Sequence, residues 1–250
     1  MKRAAKWVWM VLLLVSCQNG FKTVVLLPHT PVKDQGEWPA GWIYATLSLV
    51  ESERILAGDS LELSATYLIR RRVEQLCRAG QPFPRFEGRP MDCLHLLEEG
   101  ALLYAVFRPA PKWSWRECKR ALATGDMATV LDTGFSYVPR LVTLYGTTYT
   151  PLDLARSLYV EDAYVEHRFP SGDTTGRERI VRQMDSVLRK GHSLVWTGKN
   201  HSMHVIGMAK RAGQHYFICK DSHGTAHEGG LKYLSDDFII RFTESLLWHK

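Results

Sequence analysis

Near Ser193 the hydrophobic pattern of this chain changes its period, and that change limits the architectures open to it. Upstream, apolar residues recur at helical spacing. Trp42, Ala45, Leu49 and Leu56, with Val50 alongside, form one stripe and predict an amphipathic helix that starts near Pro39. Ser64 reads as the N-cap of a second helix from Ala65 to about Cys77. Met91 to Glu99 predicts a third, stopped by Gly100. Ser114 and Glu117 have the spacing of a capping box, and Thr150-Pro151 opens another short helix. Thr175 to Lys190, closed by Gly191, is the last. Downstream, Ser193–Thr197, Met203–Met208, His215–Lys220, Leu231–Leu234 and Phe238–Phe242 are short β-prone runs between glycine-containing turns. Helices first and antiparallel strands last predict an α+β architecture of one domain or two closely packed lobes.

The amino terminus reads as an address. Lys2, Arg3 and Lys6 precede the apolar run Trp7 to Val15, which is too short to span a bilayer and has the layout of a signal peptide. It ends Leu14-Val15-Ser16-Cys17, which resembles the bacterial lipobox, where the cysteine is lipidated and becomes the first mature residue. An ordinary secretory signal with a chance cysteine, or a misassigned start, is the alternative. Lipidation at Cys17 would anchor an exported protein to a membrane, at a periplasmic or outer-membrane face, with no transmembrane helix. Loss of residues 1–16 removes Lys2, Arg3 and Lys6 and lowers the formal charge from +6 to +3. Arg70-Arg71-Arg72 is the one tight basic run, and a helix spreads it around a solvated face, so nucleic acid is not an expected partner. An oxidising compartment permits disulfides among Cys77, Cys93, Cys118 and Cys219, in pairs the sequence does not assign. Their spacing is not that of a metal site.

Three segments occur in a telling order: Asp34-Gln35-Gly36-Glu37-Trp38-Pro39-Ala40-Gly41-Trp42-Ile43-Tyr44, then Asn200-His201-Ser202-Met203-His204-Val205-Ile206-Gly207, then Lys220-Asp221-Ser222-His223-Gly224. Together they resemble the nucleophile, histidine and asparagine signatures of papain-like cysteine peptidases. The resemblance runs from about Pro31 to the C-terminus. It implies a papain-like two-lobe fold, with a helical lobe plus an antiparallel β-barrel-like lobe. On that reading residues 1–16 are the signal peptide and 17–30 a tether and N-terminal strand. Residues 31–125 form the helical lobe with its central helix starting near Gly41, and 126–250 the strand-rich lobe carrying His201 and Asp221. Leu61-Glu62-Leu63-Ser64 with Tyr67-Leu68, Asp92 to Gly100, Thr148 to Pro151, Asp162 to Val165 and Leu234 to Phe238 are similar to segments of the aminopeptidase C and bleomycin hydrolase branch. The chain is shorter than bleomycin hydrolase, and the insertions that build that enzyme's ring should be missing.

Carried over by position, the catalytic cysteine's place falls on Gly41, which has no side chain with which to attack a carbonyl. Gln35 takes the oxyanion-hole position, His201 the base and Asp221 the orienting group in place of asparagine. Trp42 and His223 are the expected binding positions, His223 replacing a tryptophan that shields the histidine. Trp38-Pro39 replace a Cys-Gly pair, so the loop before the helix is bulkier and stiffer. Each survivor has a plainer reading: Gln35 as a loop hydrogen-bonder, His201 as a structural histidine, His204 as packing, Cys93 and Cys219 as core. Ser48 lies about two helical turns below Gly41 and cannot replace the nucleophile. His201, Asp221 and His223, with His227 near, could hold zinc with an open position, but the spacing is no known metal motif and no metal or cofactor is expected. The leading expectation is a catalytically inactive, exported, lipid-anchored peptidase homologue whose cleft binds a peptide or protein partner. One alternative is an active peptidase or aminopeptidase-like hydrolase using His201 and Asp221 with water or metal. A second is a structural assembly component with a vestigial cleft.

Overall fold

A computed structural model describes residues 20–79, 85–107, 111–158, 163–170, 176–198, 201–226 and 228–250. The signal segment, Cys17, Asn200 and His227 lie outside the described residues. In chain order the elements are β1 (Lys22–Leu26), α1 (Gly41–Leu56), α2 (Ala65–Arg78), α3 (Pro90–Glu98), α4 (Trp115–Thr124), α5 (Met127–Phe135), β2 (Val142–Leu144), β3 (Thr147–Tyr149), α6 (Pro151–Leu158), β4 (Tyr164–Arg168), α7 (Glu178–Arg189), β5 (Leu194–Gly198), β6 (His201–Arg211), β7 (Gln214–Lys220), β8 (Leu231–Ser235), α8 (Asp236–Phe242) and β9 (Ser245–His249).

The helix starts follow local capping chemistry. Ser64 Oγ accepts from the Tyr67 N–H at 3.1 Å to open α2. Ser114 and Glu117 form the reciprocal capping box of α4. Asp126 caps α5, a helix the apolar spacing does not announce. The run Phe238–Phe242, expected as a strand, is instead α8. Ser235 Oγ accepts from the Phe238 N–H, and Asp236 and Asp237 occupy the first turn, where carboxylates meet the positive end of the helix. A short apolar run has no decisive period, and here the cap settles its state.

The large sheet runs in the order β4-β9-β5-β6-β7-β8, all antiparallel, with β1 paired to the outer part of β6. The expected β-barrel-like lobe is not formed. Among the described residues β4 and β8 end an open sheet. The reason is what fills the interior. A closed barrel packs its inside with its own inward side chains, whereas here Ile180, Met184, Val187 and Leu188 of α7 and Ile239 of α8 fill that space against Trp196, Val205 and Phe217. Val195 and Leu247 face the other way and join the core of the helical part.

That second face rests on α1. The stripe expected of α1 understates its burial: Gly41 to Ile43 and Ala45 to Ser52 are all buried, while Leu56, assigned to the stripe, is 45% exposed. A helix enclosed by helices on one side and a sheet on the other has no polar face to show. Its N-terminus meets the start of β6, and this contact places the site.

Candidate active-site cleft

Two loops from opposite ends of the sequence are stitched together at the cleft. The Gln35 N–H donates to the Ser222 carbonyl at 2.8 Å, and Asp34 bridges to His223. Within the first loop the Gly36 N–H donates to Asp34 Oδ1 at 2.8 Å, in a turn that needs the positive φ of Gly36 (57°). Trp38 anchors this loop in the helical core. Its indole N–H donates to the Trp113 carbonyl at 2.8 Å, and its ring packs on Phe86, Trp115 and Phe135.

Gly41 is the first residue of α1 and faces His201. A Cβ placed on Gly41 would lie 3.3 Å from His201 Nδ1 and 3.2 Å from Gln35 Oε1. The other ring nitrogen, His201 Nε2, is 3.0 Å from Asp221 Oδ1. The imidazole is thus oriented from behind and open in front, the arrangement a general base requires. Asp221 is 4% exposed and gathers four donors. Oδ1 takes His201, His223 Nδ1 at 3.1 Å and the Ser222 N–H at 2.9 Å, while Oδ2 takes Lys232 Nζ at 2.5 Å. Burial pushes the Asp221 carboxyl upward, but the bonds from His201, Lys232 and His223 outweigh it and hold the group far below the usual carboxylate range.

Gln35 is engaged at both ends of its amide. Nε2 donates to the Trp38 carbonyl at 2.7 Å, and Oε1 accepts from Ser222 Oγ at 2.5 Å while facing Gly41. As placed, oxygen and not N–H points to where an oxyanion would form. Trp42 lies away from the cleft: it is 4% exposed, tilted against Phe86 with the Arg72 guanidinium 5.9 Å from its ring. Packing in the helical core is its role here. His223 is at the cleft surface with just over half of its side chain exposed, its ring 5.5 Å from that of His201. Lys232 and Ser222 are the cleft residues that sequence reasoning missed. Ser222 stands inside the third motif, but nothing in the sequence links Lys232 to Asp221. Beside Gln35 a groove of about 400 Å³ is lined by Asp34, Glu37, Tyr44, Lys112, Trp113 and Glu117.

Behind the cleft, α1 and the sheet share buried polar groups. Ser48 Oγ lies 2.8 Å from His204 Nδ1 and accepts from Lys220 Nζ at 2.7 Å; His204 Nε2 lies 2.8 Å from Ser193 Oγ. Burial, with Lys220 and His29 adding to it, holds the His204 ring neutral, well below the usual histidine range. Ser48 is sealed from substrate, 5% exposed. Cys93, Cys118 and Cys219 are buried and Cys77 is partly so; all four described cysteines are free thiols. Burial lowers Lys220 to about 8 from 10.5. Between those values the unfolded chain holds the extra proton, so raising the pH favours the native state. The stability of the wild type relative to Lys220→Met is therefore expected to rise between pH 8 and 10.5 in urea melts. Taking the difference cancels the buried thiols and tyrosines, which act oppositely; a flat difference would refute the burial cost.

The arrangement defines a class: a papain-like fold, with a His–Asp pair at the junction of central helix and sheet. No family model and no curated protein matches the sequence. Solved structures do share the fold. PepW from Lactobacillus rhamnosis HN001 aligns with a TM-score of 0.67 and 13% identity, over 92% of this chain and 82% of that one. Xylellain, a cysteine protease from Xylella fastidiosa, aligns with a TM-score of 0.60 and 15% identity, over 91% and 85%. Digestive procathepsin L 3 of Tenebrio molitor larval midgut gives 0.53 and 16%, over 90% and 68%. At these identities the likeness is one of fold alone.

Proposed function

We propose that this protein binds extended peptide segments in a papain-type cleft without covalent catalysis. One observation carries the reading: the residue that faces His201 Nδ1 is Gly41, so no side chain there can form an acyl intermediate. The groove beside Gln35 supports retained binding, since an indole (Trp113), an ammonium (Lys112) and carboxylates (Asp34, Glu37, Glu117) offer apolar and charged contacts to a passing chain. The test is a peptide library panned on the purified protein. Binders are expected to lose about tenfold or more in affinity with Trp113→Ala, the range of a stacked aromatic contact. Binding indifferent to Trp113→Ala and to Lys112→Glu would point to the outer surface and a vestigial cleft.

A second reading is hydrolysis by water, activated by His201 or by a metal. The intact His201–Asp221 pair favours it, together with the clustering of His201, Asp221 and His223, whose ligand atoms lie within 4.8 Å of one another. Against the metal version, Asp221 already holds Lys232, whose charge opposes a cation at the same carboxylate. Peptide cleavage by the wild type that disappears with His201→Ala would establish this reading over the first. The short segments similar to aminopeptidase C and bleomycin hydrolase support a place near that branch. The Leu14–Cys17 motif supports export and lipid anchoring at Cys17, which labelling with a radioactive fatty acid and its loss in Cys17→Ala would check.

A further inference from the structure

A second group of ligand-type side chains lies far from the cleft. Glu53 is near the C-terminal end of α1, twelve residues from Gly41 and so about 18 Å along the helix. α7 ends at Arg189, His192 follows the turn made by Gly191 with its φ of 91°, and His249 closes β9. These three separate parts of the chain converge. His192 Nδ1 is 3.0 Å and His249 Nδ1 3.9 Å from Glu53 Oε2, and the two imidazoles stack at 5.7 Å with 23° between their planes.

Hydrogen bonding leaves this group incomplete. Glu53 has 9% of its side chain exposed, and its Oε1 is buried with no hydrogen-bond partner; His249 Nδ1 is buried and unpartnered as well. Buried polar atoms are rarely left so, and two in one cluster call for a missing partner. That partner must face a carboxylate and two imidazoles at once, which suits a cation. Tetrahedral zinc with ligands near 2.0–2.1 Å sets neighbouring ligand atoms about 3.3 Å apart. The observed 3.0 and 3.9 Å from Glu53 Oε2 bracket that spacing, and all ligand atoms lie within 4.8 Å, so side-chain adjustment without movement of the backbone elements would complete the sphere. The imidazoles are each about a third exposed, which leaves a way in from solvent.

We propose that Glu53, His192 and His249 form a binding site for a divalent transition cation of the zinc type, with a fourth position open to water. The site joins α1, the α7–β5 turn and the last strand, and so clamps the C-terminal strand to the central helix. It is independent of the peptide-binding reading and of the cluster at His201.

The test uses full chain stripped of metal by chelator, then titrated with zinc alone and with cobalt as a spectroscopic probe. One equivalent is expected to bind, with imidazole-type cobalt absorption. Saturating zinc, at about 100 times its Kd, should raise the Tm by several degrees. His192→Ala and His249→Ala should each weaken zinc binding about tenfold or more and abolish the Tm rise, since each removes one of three ligands. Both positions are partly exposed, and unchanged melting of the metal-free variants would show that they still fold. His201→Ala should leave zinc binding as it is. Failure of zinc to bind, binding indifferent to His192→Ala and His249→Ala, or binding abolished by His201→Ala would overturn the proposal, the last by placing the metal in the cleft.

Discussion

Gly41→Cys is expected to create a reactive thiolate, with peptidase activity at least about 100-fold above the wild type on fluorogenic peptides, because a positioned nucleophile contributes orders of magnitude to acyl transfer. The new sulfur would stand at the N-terminus of α1, where the helix dipole favours negative charge, and beside His201, whose far nitrogen Asp221 already holds at 3.0 Å. The new Cβ would lie only 3.2 Å from Gln35 Oε1 and 3.3 Å from His201 Nδ1, so both must yield by a few tenths of an ångström. Gln35 must also turn its amide to present N–H. These adjustments, and the solvent exposure of His223 beside the His201 ring, keep the expected rate below that of a dedicated protease. The rate of alkylation by iodoacetamide against pH gives the thiol's pKa directly. A value lowered from that of free cysteine, and restored by adding His201→Ala, is the expected result. An ordinary thiol value with no peptidase activity would mean that His201 and the helix end no longer act together.

Glu51→Ala should cost about 3–5 kcal/mol of folding stability, the range for breaking a buried ion pair from one side. Glu51 is fully buried in α1, and both of its carboxylate oxygens are hydrogen-bonded. Oε1 takes Lys33 Nζ and the Leu63 N–H, each at 2.6 Å, and Oε2 takes the Thr30 hydroxyl at 2.5 Å. Thr30 in turn accepts from Lys220 at 3.0 Å. Removing the carboxylate strands a hydroxyl and a backbone N–H and takes from Lys33 its nearer carboxylate, leaving the Leu63 carbonyl at 3.2 Å and Glu62 at 3.6 Å. Urea unfolding measures the loss, and Lys33→Met on the Glu51→Ala background should recover part of it by removing a largely buried charge that has lost its nearer counter-ion. A loss under about 1 kcal/mol would show that water replaces the carboxylate without penalty.

What the chain spells out locally, it largely spells out correctly. Ser64, Ser114 with Glu117, and Gly191 mark helix ends because caps act within a few residues. The three motifs lie together at one cleft, with Gln35, Gly41, His201, Asp221 and His223 as neighbours. Other features were decided by atoms distant in sequence. Phe238–Phe242 has strand-forming residues, yet its cap and its packing on the sheet make it α8. Trp42 looks like a cleft residue beside Gly41, yet helical rotation and Phe86 take it into the core. The sheet stays open because α7 and α8 occupy the space a barrel would enclose. Lys232 reaches Asp221, and Glu53 meets His192 and His249, only because strands and helices far apart in the chain are folded against each other. Sequence alone determined local features: helix caps such as Ser64 and Ser114 with Glu117, and the glycine at position 41. The tertiary structure decided which side chains are buried, which charges are paired and which ligands converge, since those depend on the packing of segments that no local pattern brings together.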